Sequence, residues 1–153
     1  MTEFAGKKGK YFFGSVKVGE RGQIVIPLRA REIFSINAGD NAHIFGDINK
    51  GLGVTTKLEA DEDLLKESDQ YFGAAKVGER GQIVIPQDAR ELFKLKPGDL
   101  ILVFGDIKKG LGLVKASRLK NFAMKLFQAF GMFEGTQNDI GESLEDNGGD
   151  SDE

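Results

Sequence analysis

The eleven residues "KVGERGQIVIP" at positions 17–27 return letter for letter at positions 76–86. Aligned at an offset of 59, residues 13–53 and 72–112 are identical at about 27 of 41 positions. Agreement of this extent indicates an internal duplication. Two copies are too few for a stacked solenoid, so they fit either two domains or two halves of one pseudo-symmetric domain.

Each repeat predicts four short strands and one short helix. "GSVKV" and "QIVIP" are strands joined by the polar turn "GERG", and the proline ends the second of them because it cannot donate to a ladder. "LRAREIF" and "QDARELF" follow as helices, with apolar residues at i, i+3 and i+4. "AHIFGDI" is a third strand, "NKGLG" a glycine-rich turn, and "VTTKL" a fourth strand. One such unit buries too little apolar surface to be stable alone, and the second copy supplies the rest.

The chain therefore divides into two repeats and three connecting or terminal segments. Beyond the second repeat, apolar residues at helical spacing predict an amphipathic helix with a stripe of three phenylalanines. This helix either covers the core of the repeats or pairs with a second copy, and the size of the stripe favours a homo-oligomer. The predicted segments are repeat 1 (13–57), an acidic linker (58–70), repeat 2 (71–116), the helix (117–131) and a disordered acidic tail (132–153).

Charge is unevenly distributed along the chain. The net charge of −3 and pI of 5.3 conceal two basic segments, residues 13–57 at about +2 and residues 71–120 at about +5. The acidic charge lies in residues 58–70 and 121–153, at about −5 and about −7. The overall acidity therefore does not exclude a polyanionic partner for the repeats.

Enzyme and metal chemistry find little support. The chain has no cysteine and one histidine, His43, whose counterpart in repeat 2 is a leucine, which favours a packing role. No nucleophile, Walker or zinc-protease motif occurs. We expect a non-enzymatic protein without metal or cofactor, cytoplasmic and associated with the nucleoid, because no apolar run is long enough for a signal peptide or a membrane span. Four aspartates that follow glycine are interpreted as turn formers: Asp40, Asp47, Asp99 and Asp106.

Cations recur at matched positions of the two repeats. They form either a solvated face paired with neighbouring glutamates or a surface that contacts nucleic acid. Their retention, while neighbouring positions such as Leu28 and Gln87 diverged, favours nucleic acid. Arginine can neutralise phosphates and read guanine, and glutamine can read adenine. The candidate DNA-binding residues are Lys17, Arg21, Gln23, Arg31, Lys76, Arg80, Gln82 and Arg90.

"KVGERGQIVIPLRAREIFSINAGD" and "KVGERGQIVIPQDARELFKLKPGD" resemble the AbrB/MazE/SpoVT family of swapped-hairpin DNA-binding domains. The resemblance covers about 16–58 and 75–116. It implies a mostly β fold with short helices, in which two copies exchange hairpins to form one small barrel. Here both copies lie in one chain, as an intramolecular pseudo-dimer. It also implies DNA binding through the residues named above.

These expectations converge on a transcriptional regulator that binds duplex DNA. Two alternatives stay open. A MazE-like antitoxin would bind DNA and also hold a toxin through its C-terminal segment. A related barrel could instead serve only for assembly, although the basic charge of both repeats argues against that.

Overall fold

The computed structural model describes residues 9–57 and 69–118, together with the backbone of residues 4–5. The architecture is mostly β with two short helices, as expected. The strands are β1 (Phe4–Ala5), β2 (Lys10–Lys17), β3 (Gln23–Val25), β4 (Asn41–Asp47), β5 (Gly51–Thr55), β6 (Gln70–Lys76), β7 (Gln82–Val84), β8 (Leu100–Asp106) and β9 (Gly110–Lys115). The helices are α1 (Leu28–Phe34) and α2 (Gln87–Phe93), and a 3-10 turn (Ala116–Arg118) follows β9.

Seven of the strands form one antiparallel sheet in the order β1-β2-β8-β9-β5-β4-β6, while β3 and β7 pair only with each other. The described residues therefore form an open sheet with a separate two-stranded ribbon, and the closed barrel that the resemblance implied is not present. The ribbon strands are three residues long. Each runs into a proline, Pro27 or Pro86, which has no N–H with which to extend the ladder.

Strand pairing crosses between the repeats almost everywhere. β2 pairs with β8, β4 with β6, β5 with β9 and β3 with β7, and each pair joins one repeat to the other. Only the β4–β5 and β8–β9 hairpins lie within a repeat. Matching backbone bonds repeat about a pseudo-twofold axis: Val18 N–H donates to Asp99 O at 2.9 Å, and Val77 N–H donates to Asp40 O at 2.9 Å.

The helices begin and end where local chemistry dictates. Each starts after a proline, whose fixed φ suits the position before the first turn. Each ends at a residue in the left-handed conformation, Ser35 at φ 55° and Lys94 at φ 56°. Ala30 and Ala89 are fully buried and hold the helices against the core. The helices thus span the predicted segments "LRAREIF" and "QDARELF", and two residues separate each from the following "NAGD" or "KPGD" turn.

The four glycines of "NKGLG" and "KKGLG" are expected in turns, and this assignment is wrong for all of them. The turns occupy only 48–50 and 107–109, and Gly51, Gly53, Gly110 and Gly112 lie in β5 and β9. The reason at Gly53 is steric, since a Cβ there would approach the Phe45 ring to 2.6 Å. Glycine is compatible with a strand when a neighbouring group comes this close.

A single hydrophobic core fills the space between the sheet, the ribbon and the helices. The sheet contributes alternate residues of its central strands, including Ile44, Val54, Ile101 and Val103. The ribbon contributes Ile24 and Ile83 from the opposite side. We call the core-facing side of the sheet the inner face and the other side the outer face. His43 lies on the outer face, where Nδ1 and the Tyr71 hydroxyl are 2.9 Å apart, so its contact is a polar one and not core packing.

Several predicted segments lie outside the described residues. They are most of the 58–70 linker, the 117–131 helix beyond Arg118, and the 132–153 tail. Within the described part of the chain, no helix is long and apolar enough to cross a membrane.

Candidate nucleic-acid interface

The ribbon of β3 and β7 lies on the pseudo-twofold axis. Ile24 pairs with Ile83 at its centre, and both side chains are buried. Because side chains alternate along a strand, the flanking residues point away from the core. The outward face therefore carries two glutamine–valine pairs, Gln23 opposite Val84 and Val25 opposite Gln82. The two valines are 47% and 48% exposed.

A tight turn precedes each ribbon strand and presents an arginine. Gly22 N–H donates to Gly19 O at 3.0 Å, which closes the turn around Glu20 and Arg21. Gly22 adopts φ +81°, a conformation that favours glycine. The second repeat builds the same turn at 78–81, and Arg21 and Arg80 are both exposed at the turn tips.

The glutamines predicted to read bases also shape these turns. Gln23 Oε1 accepts a hydrogen bond from the Arg21 backbone N–H at 2.9 Å, and Gln82 Oε1 does the same for Arg80 at 3.0 Å. The Gln23 carboxamide lies against Gly19, where a Cβ would come within 2.5 Å of Nε2. The carbonyl oxygen of each glutamine is therefore committed to holding the arginine backbone in place.

Arg31 and Arg90 connect the helix of one repeat to the turn of the other. Arg31 Nε donates to Ile26 O at 2.9 Å, and its guanidinium packs across Gly81, where a Cβ would come within 2.6 Å of Cζ. Arg90 Nε donates to Ile85 O at 2.9 Å and packs across Gly22 in the same way. Arg90 thus lies beside the turn of Arg21, and Arg31 beside the turn of Arg80. The fold therefore places the arginine of each turn beside the helix arginine of the other repeat.

Lys17 and Lys76 are exposed at the ends of β2 and β6, directly before the turns. The glutamates Glu20 and Glu79 are exposed in the turns themselves. Across 9–57 and 69–118, salt bridges join Lys10 to Asp106 and Lys115 to Asp99, and neither involves a residue of the ribbon or of the arginine turns at 19–22 and 78–81. The pairing of the turn arginines with neighbouring glutamates, one of the two alternatives for these cations, is absent from this described part.

Val25 and Val84 were not among the predicted site residues. Their signal was available in the "QIVIP" pattern, because alternation around the buried isoleucines places each valine on the opposite face. What the sequence could not give is the pairing of β3 with β7, which brings both valines to the centre of one surface.

The four aspartates interpreted as turn formers are confirmed in that role. Asp40 and Asp99 each accept a hydrogen bond from the backbone N–H three residues earlier, at 2.8 Å. Asp47 and Asp106 each accept one from the residue two positions later, at 2.9 Å. No cluster of three or more potential metal ligands occurs among the residues that the structure describes.

Comparisons with known proteins do not identify a family for this chain. No protein-family model matches the chain, and no curated protein matches it. Among solved structures, the chain is similar to the solution structure of PHS018 from Pyrococcus horikoshii at 24% sequence identity, over 68% of this chain and 95% of that chain. The TM-score of 0.37 is too low to establish a common fold.

Proposed function

We propose that this chain binds duplex DNA through the outward face of the ribbon, as a transcriptional regulator of the AbrB/SpoVT type. In this interpretation the cross-repeat pairing is a hairpin exchange completed within one chain. The single observation that carries the proposal is the pseudo-symmetric ribbon, which has one exposed arginine turn beside each strand.

The dimensions of the ribbon suit the major groove. Two antiparallel strands lie about 4.8 Å apart, and side chains extend the ribbon to a width that a groove of about 12 Å accepts. The ribbon strands span about 10 Å along the chain at three residues each. The turns at their ends therefore address one continuous stretch of duplex, and not two half-sites a full helical turn apart.

Each residue class has a distinct role in this arrangement. Arg21 and Arg80 are exposed and contact phosphates or guanine edges. Arg31 and Arg90 already donate through Nε to the backbone and position the turns, with their outer nitrogens directed to phosphate. Val25 and Val84 supply the apolar contact that suits thymine methyl groups.

The decisive experiment compares the double variant Arg21→Ala/Arg80→Ala with a charge-matched control. The control is Lys50→Ala/Lys109→Ala, which removes two pseudo-equivalent exposed cations from the hairpin turns. We expect the arginine variant to lose duplex binding by about 100-fold or more at 0.1 M salt, since each charge-assisted contact contributes about 1.5–3 kcal/mol. The slope of log K against log salt should become shallower by about 1.8 for two lost phosphate contacts.

The lysine control should bind within a few-fold of wild type. Both variants should keep the wild-type circular dichroism spectrum, because all four side chains are exposed. If the arginine variant binds duplex as well as the lysine variant does, the ribbon is not the DNA-binding surface.

A further inference from the structure

The outer face of the sheet carries an apolar cavity that the proposed function does not use. It has a volume of about 280 Å³ and lies over the central strands β5 and β9, on the side of the sheet away from the ribbon. Its floor is made by outward positions of these two strands, which are occupied by Gly51, Gly53, Gly110 and Gly112. Its walls are the aromatic rings of Phe45 and Phe104.

The strand register gives the cavity its shape. Phe104 pairs with Gly112, Gly112 with Gly53, and Gly53 with Phe45, so four neighbouring strands form one row. Three spacings of about 4.8 Å put the two phenylalanine backbones about 14 Å apart. An α-helix with side chains is about 10 Å across, and glycine lets it approach a sheet closely. The backbone row is thus wide enough for one helix, which would pack against the Phe45 ring where that ring lies over Gly53.

Neither the backbone conformation nor a contact with another described residue requires glycine at position 112. Its backbone is outside the left-handed region, so its dihedral angles do not require glycine. A Cβ there would meet only Leu52 O, at 4.0 Å. Gly53 differs, because the Phe45 ring covers it. The absence of a side chain at position 112 therefore leaves space on the outer face and serves no contact within the described fold.

We infer that this cavity binds residues 119–130 of the same chain as an apolar helix lying along β5 and β9. The segment begins where the described chain ends, and Arg118 Nη1 donates to Ile48 O at 3.0 Å, at the β4–β5 turn. From that turn, β5 runs about 14 Å to Thr55, and a twelve-residue helix spans about 18 Å. The apolar residues that would face the floor are Leu119, Phe122, Ala123, Leu126, Phe127 and Phe130.

The charges at the far end of the cavity agree with this direction of the helix. Because β5 and β9 are antiparallel, a helix that enters at the β4–β5 turn ends near the β8–β9 turn. Lys109 and Lys10 line the cavity at that end together with Asp106, to which Lys10 is ion-paired, so the net charge there is positive. The chain after residue 131 carries eight acidic residues and no lysine or arginine. The tail would therefore leave the cavity beside cations, which favours this occupant and this orientation.

The test uses a spin label on the full chain, which contains no cysteine of its own. Lys125→Cys places the label on the polar side of the predicted helix. We expect paramagnetic broadening of the Gly53 and Gly112 amide signals, with Ile24 and Ile83 in the ribbon affected least. A mixture of labelled chain with ¹⁵N-enriched unlabelled chain should show no broadening. No broadening in the labelled chain, or equal broadening in the mixture, would overturn the inference, the latter in favour of a second copy.

Two further variants test the cavity itself. Gly112→Leu fills it and should abolish the broadening while leaving the ribbon amides unshifted. Persistent broadening in this variant contradicts the site. Phe122→Ala/Phe127→Ala should lower the melting temperature of wild type by about 10 °C and that of Gly112→Leu by much less. The matched pair Lys120→Ala/Lys125→Ala should change it by no more than about 2 °C, and equal shifts in the two pairs would overturn the inference.

Discussion

At the scale of single residues, the repeats differ most clearly at the hairpin ends. Asp106 accepts a hydrogen bond from the Lys108 backbone, as Asp47 does from Asn49. Asp106 also receives a hydrogen bond and salt bridge from Lys10 Nζ at 2.9 Å, across β2 and β8. The position that matches Lys10 at the offset of 59 is an aspartate, Asp69, and the position that matches Asp106 is Asp47, so the symmetry-related positions cannot form the same ion pair.

The ion pair predicts a pH dependence. Partial burial works to raise the pKa of Asp106, but hydrogen bonds from Lys10 and the Lys108 N–H, with the charges of Lys10 and Lys109, outweigh it and lower the pKa. A carboxyl with a lowered folded-state pKa contributes stability above its unfolded pKa, and this is lost as pH falls through the folded value. Lys10→Met should raise the pKa of Asp106, so the stability that this carboxylate contributes at neutral pH becomes smaller and less of it is lost on acidification. Carboxyl NMR titration measures this, and Lys50→Met is the control that should leave Asp106 unchanged.

At the scale of elements, the glycine of each arginine turn packs against the helix arginine of the other repeat. Arg90 packs across Gly22 and Arg31 across Gly81, so each turn is shaped by the opposite helix. Any side chain at position 22 would displace the Arg90 guanidinium. These two glycine–arginine contacts therefore couple the stability of the fold to the position of the exposed arginine in each turn.

Gly22→Ala should therefore be markedly destabilising. The left-handed backbone alone costs alanine about 1–2 kcal/mol, and displacement of the Arg90 side chain adds about 1–3 kcal/mol. Gly39→Ala is the matched control, since Gly39 has φ +91° and no atom within 4 Å of a Cβ. Urea unfolding should give a larger loss for Gly22→Ala than for Gly39→Ala. Equal losses would mean that the arginine contact contributes nothing beyond backbone strain.

The sequence predicts well those elements that are determined by residues close to them in the chain. The helices "LRAREIF" and "QDARELF" were assigned at their observed bounds, because a proline precedes each and apolar spacing marks the buried side. Gly53 was misplaced into a turn because the need for glycine there comes from the Phe45 ring on a neighbouring strand. A contact between residues on neighbouring strands cannot be inferred from the residues around the glycine. The same limit applies to the site: the exposure of Arg21 follows from its turn, but its neighbour Arg90 does not.

At the scale of the whole molecule, the repeats are halves of one folding unit. Four strand pairings cross between them, and the core draws its largest buried side chains from both. The exact recurrence of "KVGERGQIVIP" is consistent with this, since identical segments can occupy equivalent places about a pseudo-twofold axis. The repetition alone did not distinguish an exchange of strands from two adjacent domains, because both satisfy the same pattern of apolar residues.

The cross-repeat pairing predicts that an intact backbone between the repeats is dispensable for the fold. A protease site inserted within residues 58–68, once cleaved, should leave both fragments associated, because neither retains a complete sheet or core alone. The cut protein should elute at the position of the intact chain in size exclusion. Its melting temperature should fall on dilution, since the tether that kept the repeats at high effective concentration is gone. The uncut protein should show no such dependence. Separation into two fragments that each keep native circular dichroism would contradict the shared core.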